Sequence, residues 1–214
     1  MADPQRSRDP ERSRAAILDA AESLFATQGY RDTSLADVGA RARVSRGTPG
    51  YFFGSKEGLH RAVLARCFAD ALDAVRSGRL RAERSGKPAE EILAGAVSDY
   101  VDFVTAHPHF IRLLHRDALG DGPGDRSTTD GMDVGAEAVA ELAQELGYPD
   151  SDAPAVRHLV LSLIALTWFP ELHRTRLVPS VGLDPDAADF VAERKRHITA
   201  LLTGALPATA GRIP

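Results

Sequence analysis

The chain has 214 residues, enough for one or two domains at roughly 150 residues each. Hydrophobic residues make up 43% and charged residues 26%, an ordinary balance for a protein with a sizeable core, and the single cysteine, Cys67, excludes an internal disulfide and a cysteine-based zinc site. Net charge is −4, yet the stretch Arg41 to Lys56 holds four basic residues (Arg41, Arg43, Arg46, Lys56) and no acidic one, so a small basic face sits on an acidic body.

Residues 1–10 read as a disordered arm whose arginines, Arg6 and Arg8 with the following Arg12 and Arg14, suit phosphate or minor-groove contact as well as plain solvation. The arm has no apolar core of a secretory signal, and a lone thiol fits a reducing compartment, so the expected location is cytoplasmic. The first helix is expected over about 11–28: Ile17, Ala21, Leu24 and Phe25 share one face, and Gly29 stands at the C-cap. A short second helix is expected over about 34–42, with Thr33 or Ser34 as N-cap and Leu35 and Val38 inward. After a break at Arg43-Val44, Ser45 caps a third helix over about 46–53, with Pro49 inside it at the cost of an early hydrogen bond.

Ser55 opens the fourth helix, which carries Leu59, Val63, Leu64, Cys67, Phe68, Leu72 and Val75 inward and fades near Ser77-Gly78. A charged link over 79–87 follows. Helices are then expected over about 88–106, 109–119, 132–146, 153–168 (stopped by Pro170) and 186–205, the last with Phe190, His197, Ile198, Leu201 and Leu202 inward. The stretch 120–125 is a loop by composition and carries no phosphate-binding pattern. The longest apolar run, Leu159 to Phe169, is well short of the ~20 residues of a membrane-spanning helix and reads as buried. No alternating strand pattern and no repeat occurs, so the expected fold is all-α with about nine helices.

The informative segment is TSLADVGARARVSRGTPGYFFGSK, Thr33 to Lys56. Two short helices joined by a tight turn behind a longer helix make a helix-turn-helix, whose second short helix enters the major groove. Its start offers Ser45, Arg46, Gly47 and Thr48. Arginine bonds guanine bidentately, threonine bonds a base edge or touches a thymine methyl, and glycine admits the backbone close to DNA. Tyr51 and Lys56 suit phosphates, and the N-terminus of the fourth helix favours an anion.

Ala20-Ala21-x-x-Leu24-Phe25-x-x-x-Gly29-Tyr30, Thr33-Ser34, Val44-Ser45-Arg46-Gly47-Thr48 and Tyr51-x-Phe53-x-Ser55-Lys56-Glu57 together resemble the signature of the TetR/AcrR family over about residues 14–65. The resemblance implies a DNA-contacting set of Thr33, Ser34, Ser45, Arg46, Gly47, Thr48, Tyr51, Phe52 and Lys56. The family carries a phosphate-contacting histidine just before its motif phenylalanine, and this chain has Phe52 there. It also implies three partners: a double-stranded, pseudo-palindromic DNA operator, a second copy of the chain, and a small organic effector held among the fourth to eighth helices. Expected domains are a DNA-binding head over 11–57, a ligand-binding and dimerisation body over 58–206 and a flexible tail over 207–214. An effector would move the fourth helix and spoil the spacing of the two heads.

Apolar and aromatic faces in the body nominate Tyr100, Phe103, Phe110, Leu114, His115 and Trp168 as ligand-binding, with Arg112 and Arg116 pointing outward, so an apolar or amphipathic ligand is expected and a charged one disfavoured. Leu159, Val160, Leu161, Leu163, Ile164 and Leu166 leave the eighth predicted helix almost no polar face, which calls for cover on both sides and hence a dimer through the last two predicted helices. No cofactor and no metal are expected; His107, His109 and His115 surround Pro108, which breaks any helical ligand spacing. The regulator is read as a repressor, with an activator of the same family and a small helical enzyme built on those three histidines as alternatives.

Overall fold

The computed structural model describes residues 9–84, 86, 89–123 and 154–204. Among the described residues it is all-helical and falls into two units. The first comprises α1 (Pro10–Gln28), α2 (Leu35–Arg41), α3 (Thr48–Phe53), α4 (Lys56–Arg84) as far as Arg66, and α6 (Pro108–Ala118) from Arg112 onward. The second comprises the rest of α4, α5 (Ala89–Ala106), the start of α6, α7 (Pro154–Leu172), α8 (Leu177–Ser180) and α9 (Phe190–Gly204). The first unit thus takes in part of α4 and the distant second half of α6, beyond the expected 11–57. The helix expected over 132–146 lies outside the described residues, and the short α8 falls between the helices expected over 153–168 and 186–205.

In the first unit, Asp9 caps α1 by accepting from the Glu11 amide at 3.0 Å, and Pro10 takes the first turn, where its missing N–H costs nothing. Ile17, Ala21, Leu24 and Phe25 are buried, as their spacing requires. Ser34 and Asp37 close a reciprocal capping box at α2, and the Ser34 hydrogen bonds hold the Asp37 carboxyl below its usual range. α2 ends in a Schellman turn: the Val44 amide donates to Gly39 O at 3.0 Å and the Arg43 amide to Ala40 O at 3.2 Å. That turn needs a left-handed residue, and the chain places Arg43 there with φ 56°. Arg43→Gly is therefore expected to stabilise the protein by about 0.5–1 kcal/mol, raising Tm by about 1–4 °C. An unchanged or lower Tm in a thermal melt counts against this strain.

α3 begins two residues later than expected. Gly47 is its N-cap, so Pro49 occupies the second helical position, where no intrahelical partner is lost. Gly39 lets α2 approach: a Cβ there would stand 3.2 Å from Ser45 O and 3.6 Å from Pro49 Cδ. Ser55 caps α4 through the Gly58 amide at 3.0 Å. α4 does not fade at Gly78 but runs to Arg84, since one helical glycine costs only about 1 kcal/mol and Leu-Arg-Ala-Glu-Arg are good helix formers.

In the second unit, α7 does not stop before Pro170 but carries it inside the helix. Proline removes the donor for the carbonyl four residues back, Leu166 O, and Arg194 of α9 donates to that carbonyl at 2.9 Å instead. Along α9, Phe190, Ile198 and Leu202 are buried, whereas His197 and Leu201, expected inward, are exposed. The buried residues lie on one row four residues apart, and the two exposed ones lie beside it.

Candidate nucleic-acid interface

α3 offers one face to its own unit and the other to solvent. Pro49 is buried against α2, while Ser45, Arg46, Gly47 and Tyr51 are exposed, Tyr51 to 86%. A Cβ added to Gly47 meets nothing within 4 Å, so that backbone is open to a partner. The Ser45 and Thr48 hydroxyls bond each other at 2.6 Å, which sets the pair in one orientation ahead of any base contact. Phe52 is half-buried with its ring edge-on to Tyr51 at 5.4 Å, and so buttresses the tyrosine rather than replacing a histidine's polar contact.

Other residues of the anticipated set are engaged within the unit. Thr33 is 1% exposed and its hydroxyl donates to Gly29 O at 2.7 Å, which gives it a structural part; Ser34 is occupied in the capping box. Lys56 Nζ donates to Tyr30 O at 2.9 Å and to Arg31 O at 3.3 Å and stands 4.3 Å from the Tyr30 ring centroid. Arg41 donates to Ser23 Oγ at 2.8 Å. Of the four cations in the basic stretch, Arg41, Arg43 and Arg46 are exposed, Arg41 while bonded to Ser23, and Lys56 is half-buried.

The second half of α6 anchors the base of this unit. Arg116, expected to point outward, donates to Ala26 O and Thr27 O at 3.2 Å each, satisfying carbonyls at the end of α1, and pairs with Asp121 at 2.7 Å. Asp117 places Oδ1 3.2 Å from Nε2 of the buried His60, off the line of a hydrogen bond. His60 also meets Phe25 and Tyr30 edge-on at 5.1 Å each. Sequence reasoning passed over it, although its spacing to Val63, Leu64 and Cys67 is that of the inward row.

The nominated ligand residues divide between the units. Leu114, half-buried, and His115, exposed, belong to the first. Tyr100, Phe103, Phe110 and Trp168 form a packed aromatic cluster in the second: Phe110 lies 5.7 Å from Phe103 and 5.9 Å from Trp168, and Trp168 Nε1 donates to the Tyr100 hydroxyl at 2.8 Å. Burial pushes the Tyr100 phenol up to about 12. Its stabilising contribution is complete below the ordinary value of 10 and is lost as pH rises toward 12, because the unfolded chain ionises first. A rise of this size corresponds to about 2–3 kcal/mol, so Tyr100→Phe is expected to flatten the fall in stability over that window, read by urea unfolding followed at Trp168. An unchanged slope would remove Tyr100 as its source. His107 bonds Phe103 O through Nδ1 at 2.8 Å and stacks on the Phe103 ring, and among the described residues no three His, Cys, Asp or Glu side chains gather to hold a metal.

The family model for bacterial regulatory proteins of the tetR family matches residues 17–63. The HTH-type transcriptional repressor NicS of Pseudomonas putida is 26% identical over 185 residues, covering 84% of this chain and 85% of that protein. The HTH-type transcriptional repressor SCO4008 of Streptomyces coelicolor is 25% identical over 166 residues, covering 76% and 80%. In fold, the chain is similar to the fatty acid degradation regulator FadR from Bacillus halodurans, with a TM-score of 0.68 over 90% of this chain and 99% of that one at 17% identity. The family match thus spans the segment that exposes Arg46 and Tyr51, and together with these relatives it supports a DNA-binding transcription regulator similar to those of the tetR family.

Proposed function

We propose that this regulator is a cytoplasmic homodimeric repressor that holds a pseudo-palindromic operator through α3 of each protomer and releases it when a small organic molecule binds the second unit. The observation that carries the DNA part is the exposure of Arg46 and Gly47 just ahead of α3 and of Tyr51 on it, while the opposite side of α3 packs on α2 through Pro49. Ser45, Arg46, Gly47 and Thr48 are assigned to base edges, and Tyr51 with Arg43 to phosphates. Repression is favoured over activation because both curated relatives are named as repressors.

Dimerisation is supported by apolar side chains left uncovered on α7 and α9: Leu161 is 60% exposed, Phe169 51% and Leu201 47%. A two-fold dimer presents two identical heads, hence the dyad in the operator. Release works as a population shift. α4 begins directly after α3 and continues unbroken into the second unit, so a ligand that prefers one position of its later turns biases the position of the first.

A gel-shift titration with DNA from upstream of the gene tests this reading. A specific complex that survives excess unrelated DNA supports it; binding that unrelated DNA removes completely contradicts it.

A further inference from the structure

Within the first unit α1 and α3 are in contact, and a line of rings leads from the solvent side of α3 to the early part of α1. Tyr51, the most exposed large side chain of the unit, meets Phe52 edge-on at 5.4 Å, and Phe52 lies 6.3 Å from Phe53. The guanidinium carbon of Arg14, on α1, stands 5.2 Å from the centroid of the Phe53 ring. Phe53 is half-buried and Arg14 is exposed, so the line ends on a cation at the surface.

Arg14 is held in place while its charge is left over. Other cations of the unit are engaged: Arg41 with Ser23, Lys56 with two carbonyls, Arg66 with Asp19 at 2.6 Å and Glu22 at 2.8 Å, and Arg116 with Asp121 and the end of α1. Among the described residues Arg14 forms no ion pair, not even with the exposed Glu11 one turn before it, and the Asp9 carboxylate is taken by the Glu11 amide. Attraction to the face of a ring calls on no hydrogen-bond acceptor, so the five N–H donors of the guanidinium are open to an anion. A side chain already positioned also gives up less freedom on binding than a mobile one. Arg12, two residues earlier and equally exposed, has no such ring contact among the described residues.

We propose that the early part of α1 is a second strip of the DNA interface, in which Arg14, positioned by Phe53, clamps a backbone phosphate beside the groove that α3 enters. Ser45, Arg46, Gly47 and Thr48, assigned above to base edges, stand at the start of α3, and Phe53 is its last residue. A cation at the far end of the reading helix suits the sugar-phosphate flank, whose contacts fix the register of the protein without reading sequence. The strip rests on the reading of α3 given above.

The test is fluorescence anisotropy of the full-length protein on labelled DNA from upstream of the gene and on a scrambled duplex of the same length, each at several salt concentrations. Arg14→Gln weakens both duplexes by a similar factor and lowers the slope of log affinity against log salt by about one per head. Arg14→Lys keeps the charge and most of the slope. Arg12→Gln, the control for net charge, changes the slope less than Arg14→Gln does. Circular dichroism and a thermal melt establish that each variant is folded; were Arg14→Gln to unfold, Arg14→Met, which keeps an apolar stem against Phe53, carries the same expectation. A slope and affinity unchanged in Arg14→Gln, a loss confined to the upstream duplex, or an equal effect of Arg12→Gln overturns the clamp. Arg46→Ala is titrated alongside. A lowered slope in Arg14→Gln beside wild-type behaviour of Arg46→Ala keeps the phosphate contact and sinks the α3 reading, whereas the reverse sinks the contact alone.

Discussion

Replacing Arg46 by alanine is expected to lower the operator affinity of the proposed dimer by about 2–6 kcal/mol, at 1–3 kcal/mol for each of two heads. Arg46 lies two residues ahead of α3, exposed, beside the open backbone of Gly47 and the paired hydroxyls of Ser45 and Thr48. On the proposed reading the Arg46 guanidinium reaches base edges, where a bidentate bond to guanine discriminates one base pair from another. The loss therefore falls on specific DNA, and affinity for unrelated DNA changes much less. Lys56→Ala behaves differently. Its ammonium holds the Tyr30 and Arg31 carbonyls, so the variant lowers Tm as well as any phosphate contact. Titrations at one fixed salt concentration, on operator and on scrambled DNA, separate the two. If Arg46→Ala kept both affinity and selectivity, α3 would not be the reading helix.

The double substitution Leu161→Glu with Phe169→Glu is expected to turn the dimer into a folded monomer and to cut operator affinity by about 10²–10⁴-fold, the advantage of binding two half-sites at once. Both side chains are more than half exposed on α7, so replacing them costs little inside one protomer. In a two-fold interface each new carboxylate meets its own symmetry mate's surroundings, and burying unpaired charge there is unfavourable. Sedimentation velocity reads the oligomeric state and circular dichroism the fold. A dimer that persists with unchanged operator affinity places the interface elsewhere.

What was legible in the sequence was local. The Asp-Pro start and Gly end of α1, the capping box of α2 and the buried row Ile17, Ala21, Leu24, Phe25 follow from nearest neighbours and helical period. The family match over residues 17–63 lies within the segment whose spaced positions resembled the tetR signature. Errors arose where a residue did something rarer than its type suggests. Arg43 takes the left-handed place usually given to glycine, Pro49 helps start α3, and Pro170 is tolerated within α7 because Arg194, on another helix, serves the orphaned carbonyl.

The candidate site was legible in its outline and not in its occupancy. Nothing in the run of cations from Arg41 to Lys56 reveals that Arg41 and Lys56 are spent on Ser23 and on the Tyr30 and Arg31 carbonyls. Likewise the aromatics of the second unit pack on one another, a relation made only by tertiary packing. His60 was invisible for a simpler reason: a polar side chain on a buried row does not count toward apolar periodicity.

A footprint of the wild-type protein on the DNA upstream of its own gene, run beside Arg46→Ala, bears most directly on the central claim that α3 of a two-fold dimer reads the operator. The expected pattern is two protected half-sites related by a dyad, their centres about one helical turn or a multiple of it apart, and lost in Arg46→Ala. A single or uniform protection, or the same footprint from both proteins, would contradict it.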